Sequence, residues 1–177
     1  MVFASTKLVI WKDLFVWGGS QEKAIAGRVF KYKGKHPERL ITFIPKLLHT
    51  IFNPGPYNLK EVSFSKEVKK GRESFSFKWE LNKELDKWSY FRIDVKLKGW
   101  TEKGEGEAEV ELAEAALITE YPQDTYWQKT IFYEMLRMLW HRLFYEKRME
   151  EYIKKGRLLC NCFVERLQQY FEKLSKS

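Results

Sequence analysis

Four consecutive segments in the middle of the chain alternate apolar and polar residues with period two. Val62, Phe64 and Val68 alternate with Ser63, Ser65 and Glu67, and Phe75, Phe77, Trp79 and Leu81 with Ser74, Ser76, Lys78 and Glu80. Phe91, Ile93, Val95 and Leu97 alternate with Arg92, Asp94, Lys96 and Lys98, and Ala108, Val110 and Leu112 with Glu107, Glu109 and Glu111. Side chains of a strand point to opposite faces in turn, so this pattern predicts four strands with one dry and one wet face. The short connections at Lys69–Gly71, Asn82–Lys87 and Gly99–Gly106 predict an antiparallel meander. The alternation changes phase near Ala113 to Leu117, where a bulge is expected.

Two earlier segments read as strands. Leu8 to Trp17 is β-branched and aromatic and ends at Gly18-Gly19; Gly27 to Lys33 is closed by Gly34. A hairpin between them is expected. Pro37 and Glu38 then suit a helix start. Leu40, Ile41, Ile44, Leu47, Leu48, Ile51 and Phe52 follow at helical spacing. Pro45 predicts a kink or a split into two short helices, and Asn53-Pro54-Gly55-Pro56 ends the segment.

The C-terminal part is helical. From Tyr126 to Ile153 the consistently polar line is Thr130, Glu134, Arg137, His141 and Arg148; Trp127, Ile131, Phe132, Met135, Leu136, Met138, Leu139, Trp140, Leu143 and Phe144 surround it. A surface helix normally carries one apolar stripe. A helix apolar around most of its circumference is expected to be covered on two sides, by the sheet and by a second helix or subunit. Gly156 is either a C-cap or a residue within a continuing helix. Beyond it, Cys160, Val164, Leu167, Phe171 and Leu174 are spaced 4-3-4-3, a short coiled-coil-like seam.

These elements define the expected fold class: α+β, with about six strands and an antiparallel β-meander packed against a long C-terminal helix. The expectation is one domain over 1–177: strands and kinked helix in 1–58, meander in 59–119, helices in 122–175. The element order resembles the helix-grip fold of lipid-transfer and polyketide-cyclase-like proteins. That resemblance, of element order without a shared motif, implies a curved sheet wrapping a terminal helix around a cavity.

Composition narrows the function. The 177 residues are 44% hydrophobic and 32% charged, mostly Lys and Glu, which fits a globular chain with heat-adapted composition. No apolar run reaches the length of a membrane span, and Met1 to Ser5 lacks a signal-peptide start. Cys160 and Cys162, two apart on a helix, do not share a face, so neither a disulfide nor a zinc site is expected. The expected compartment is the cytoplasm.

The formal net charge of +8 is uneven. Nine Lys/Arg against three Asp/Glu give +6 over 1–58, twelve against fifteen give −3 over 59–125, and eleven against six give +5 over 126–177. An uneven basic field attracts phosphates or acidic partners.

No metal, cofactor or catalytic motif is expected. His36, His49 and His141 lack a second ligand at metal spacing, and no phosphate loop, dinucleotide fingerprint or nucleophile elbow occurs. His141 is expected in solvent. Glu105, Glu107, Glu109 and Glu111 are expected to face Arg92, Lys96 and Lys98 across a strand pair as a salt-bridged surface. Lys31, Lys33 and Lys35 share a face among Val29, Phe30 and Tyr32.

Two functions from different classes follow. The first is a binding protein, not an enzyme, that docks on RNA or the ribosome through Lys66, Lys69, Lys70 and Arg72 at a turn and Lys154, Lys155 and Arg157 on the helix. The second is a binder of a hydrophobic small molecule in a cavity lined by Phe75, Phe77, Trp79, Phe91, Trp127 and Phe144. Self-association through the C-terminal helices is expected in addition, without a membrane partner.

Overall fold

The computed structural model describes residues 9–14, 28–69, 71–121, 123 and 125–176. The far end of the first expected strand, its Gly18-Gly19 loop and Lys70 lie outside the described residues.

The fold is α+β: a six-stranded antiparallel sheet and a long C-terminal helix. The strands are β1 (Val9–Asp13), β2 (Arg28–Lys35), β3 (Leu59–Lys69), β4 (Arg72–Glu84), β5 (Ser89–Glu102) and β6 (Glu105–Glu120). β3 to β6 form the meander. Lys103 and Gly104, both with positive φ (50° and 88°), make the two-residue turn between β5 and β6, which brings Glu102 opposite Glu105. That backbone suits the right-handed twist of a tight hairpin.

Among the described residues β1 and β2 do not pair with each other. Both pair antiparallel with β6, β2 along Glu105–Leu112 and β1 along Ala116–Glu120. The long strand β6 offers a free edge, and two short strands occupy it in succession. The register of β6 against β5 slips where Asp94 faces Glu114 and Val95 faces Leu112, leaving Ala113 as the bulged residue.

Two helices cover the dry face: α1 (Leu40–Phe52), entered through a 3-10 turn at Pro37–Arg39, and α3 (Glu146–Lys176). α1 runs unbroken past Pro45, so the expected split does not occur. Pro45 stands inside the helix and has no N–H to give Ile41 C=O, yet the helix continues to Phe52. Asn53, in the left-handed conformation, ends α1 with its N–H donating to His49 C=O. Phe43 stacks on Tyr170 at 3.6 Å and joins the two helices.

The C-terminal helix is continuous from α2 (Ile131–Trp140) through a π-helical segment, His141–Tyr145, into α3. It passes through Gly156 without a cap. A Cβ there would lie 2.9 Å from Phe91 and 2.7 Å from Leu14, so hydrogen is what allows the helix to approach the sheet this closely. The 4-3-4-3 seam faces inward: Cys160, Leu167 and Leu174 are buried in the core, and Val164 and Phe171 pack against it. The seam is thus filled by the protein's own sheet and α1. No described helix is long and apolar enough to cross a membrane.

Candidate functional site

α2 is inverted. Its polar line faces the protein and its apolar residues face out. Thr130, Arg137 and, beyond α2, Tyr145 are buried, whereas Ile131, Phe132, Met135, Leu136, Met138, Leu139, Leu143 and Phe144 are exposed. Thr130 caps α2 by accepting from Tyr133 N–H. The expected second layer over the apolar sides is absent among the described residues, because the polar line, not an apolar stripe, bonds to the body of the fold.

His141 corrects the expectation of a solvated side chain. It is half-buried, 2.5 Å from Tyr121 Oη through Nδ1. Burial, and then the nearby Lys12 charge, lower its pKa and favour the neutral ring beside the Tyr121 hydroxyl. Burial pushes the Tyr121 phenol up to about 12.

Arg137 is the unusual group. Its side chain is only 5% exposed. Nη2 donates to Glu134 Oε1 at 3.0 Å, and Gln123 donates to the same oxygen at 3.1 Å. Among the described residues Nε and Nη1 have no hydrogen-bond partner. The guanidinium lies 5.2 Å from the Tyr121 ring centre and 6.0 Å from that of Tyr133. Burying an arginine with two nitrogens unsatisfied is costly unless something else meets them.

Arg137 lines a cleft of about 330 Å³ with Lys87, Trp88, Tyr121, Gln128, Tyr133, Leu136 and Trp140. Trp88 meets Trp140 edge-on at 5.2 Å and Tyr121 at 6.2 Å. Two cations at a wall of aromatic rings can take an anionic group on an apolar or aromatic body: charge-assisted bonds hold the anion, and the rings hold the rest.

The cleft's wall is fixed by Asp86 in the β4–β5 turn. Asp86 Oδ1 accepts from Trp88 and Ser89 N–H, both at 2.9 Å; Oδ2 accepts from Tyr145 Oη at 2.8 Å and Tyr152 Oη at 3.0 Å. Burial alone would raise this carboxyl, but the hydrogen bonds outweigh it and leave its pKa lowered. Ser89 Oγ also lies 2.7 Å from Thr119 Oγ1 and 2.6 Å from Tyr145 Oη, so the turn, β6 and the π-helical segment share one buried network.

The basic residues singled out in the sequence fall into two separate groups. Lys66 pairs with Glu73 at 2.5 Å, Lys69 with Glu67 at 2.7 Å, and the Arg72 guanidinium lies 3.9 Å over Trp100. Lys70 lies outside the described residues. Lys154 and Lys155 are exposed, whereas Arg157 donates to Leu14 C=O at 2.8 Å. Gly156 sits against Phe91, and Arg72 pairs with Glu102, at the far end of β5. At the usual rise per strand residue the two groups are roughly 36 Å apart along that strand.

The acidic ladder of β6 lies between two basic rows. Lys33–Glu107 (2.9 Å) and Lys31–Glu109 (3.9 Å) tie it to β2, and Lys96–Glu111 (3.5 Å) ties it to β5.

The six expected cavity residues are not brought together. Phe75, Phe77, Trp79 and Phe91 are buried in the core, whereas Trp127 and Phe144 are 52% and 69% exposed on the outer side. Sequence reading missed Asp86, Trp88, Tyr121 and the role of Arg137. The polar line itself was visible, but its direction was not. Compared with known proteins, the chain matches no family model, no curated sequence and no solved structure.

Proposed function

We propose that this is a binding protein for a small molecule that joins an anionic group, carboxylate or phosphate, to an apolar or aromatic body, held in the Arg137 cleft. The observation that carries this reading is the buried guanidinium with Nε and Nη1 unpartnered in an aromatic-walled cleft. Lys87, exposed at the rim, adds a second cation. The reading keeps the small-molecule function expected from the sequence but moves the ligand from the dry sheet face to the junction of α2 and the β4–β5 turn. RNA docking draws less support, because Lys66 and Lys69 are ion-paired and the two basic groups lie far apart.

The test is a fluorescence and melting titration of the full chain with phenyl phosphate, inorganic phosphate and phenol. Phenyl phosphate is expected to quench tryptophan emission and raise Tm, and each half-molecule alone to act far more weakly. Arg137→Gln and Lys87→Ala should each weaken phenyl phosphate by roughly tenfold, about 1.4 kcal/mol. Lys87→Ala, at an exposed position, serves if Arg137→Gln does not fold. No response to phenyl phosphate, or wild-type affinity retained in both variants, overturns the proposal.

A further inference from the structure

The outward face of α2 is too large and too apolar to be an ordinary solvent face. Phe132 is 60% exposed, Met135 65%, Leu139 56% and Leu143 60%. At 3.6 residues per turn the apolar positions from Ile131 to Phe144 sweep most of the circumference, and within that arc the one charge is Arg142, near a margin. Nine side chains around half exposed present apolar surface on the order of 1,000 Å², more than the few hundred usual for the largest patch on a monomer.

We infer that a second copy of this chain covers this face, the two α2 helices packing antiparallel about a twofold axis. Two features favour a copy of the same chain. The area suffices, since a standard interface needs about 800 Å² from each partner. The charges also match. Lys129 and Glu146, both exposed, bracket the apolar run. The run from Ile131 to Phe144 has its midpoint between Arg137 and Met138, so antiparallel pairing about that midpoint sets Lys129 of one copy opposite Glu146 of the other. Symmetry repeats the pair at the other end. An isologous contact of this kind closes on itself, which turns an aggregation hazard into a defined dimer.

The interface also reaches the cleft. Leu136 and Trp140 line the cleft and belong to the exposed face, so the second copy narrows the cleft's outer side. This last point rests on the proposed function; the dimer does not.

Sedimentation equilibrium of the full chain at micromolar concentration tests it. The expected mass is twice 21.3 kDa. Leu139→Glu, at an exposed position, should give a folded monomer with an unchanged circular dichroism spectrum. Lys129→Glu should weaken the dimer severalfold, and Lys129→Glu combined with Glu146→Lys should restore it. Flotation with vesicles of anionic phospholipid provides the second arm. A monomeric wild-type chain, a dimer untouched by Leu139→Glu, or a monomer that floats with the vesicles through α2 overturns the inference. Failure of phenyl phosphate to bind, with the dimer intact, removes the cleft reading and leaves the dimer standing.

Discussion

Tyr145 donates its hydroxyl proton to Asp86 Oδ2 at 2.8 Å, across 59 positions of sequence. The bond fastens the turn between β4 and β5 to the π-helical segment where the C-terminal helix passes from its exposed half to its sheet-packed half. A π-helical turn resets which side chains face a surface. Here it turns Tyr145 inward while its neighbours Leu143 and Phe144 stay outside.

Removing the Asp86 carboxylate should therefore be costly. Asp86→Ala strands two backbone N–H groups and two tyrosine hydroxyls, and should lower stability by about 2–4 kcal/mol, read from denaturant unfolding. Asp86→Asn should cost less. The folded pKa lies below the ordinary 3.8, so the stabilisation is complete above that value and is lost as pH falls through the folded value. Wild type should lose stability in that acid range faster than Asp86→Asn.

His141 acts in a different window. Its folded pKa is lowered, so between the ordinary 6.5 and the folded value the unfolded chain binds a proton that the folded chain resists. The stability due to neutral His141 is whole above 6.5, falls as pH drops below it, and levels off below the folded value. His141→Gln, which keeps a polar partner for Tyr121, should show a shallower fall in Tm from neutral to mildly acid pH. Equal slopes would remove His141 from the account.

Gly156→Ala sets two effects against each other. Alanine favours helix by about 1 kcal/mol. Its Cβ, however, would lie 2.9 Å from Phe91 and 2.7 Å from Leu14, both fully buried. Overpacking of this kind costs about 1–3 kcal/mol, so net destabilisation is expected in chemical unfolding. A stabilised variant would mean that Leu14 yields readily.

Phe91 and Phe144 carry the same side chain in opposite settings. Phe91→Ala empties a fully buried position and should cost about 3–5 kcal/mol. Phe144→Ala removes a ring that is 69% exposed and should leave the unfolding of the isolated chain nearly unchanged. Its measurable effect should fall on the dimer mass instead.

The sequence by itself determined the elements. Period two in Phe75–Leu81 and Phe91–Leu97 required strands with one dry face, since a shift by one residue would put every large side chain in water. The change of phase near Ala113 marked the bulge. The spacing of Cys160, Val164, Leu167, Phe171 and Leu174 marked a helix with one inner stripe. Local spacing carries this information because backbone geometry sets which side chains share a face.

Tertiary structure alone decided what each face meets. β1 and β2 share the edge of β6, because β6 is long enough to receive both. The polar line of α2 turned inward because Asp86, Tyr121 and Gln123, all outside the helix, supply it or its π-helical continuation with partners. Amphipathicity measured along a helix has no sign: it says that two faces differ, and only the neighbours of Arg137 and His141 say which one is inside.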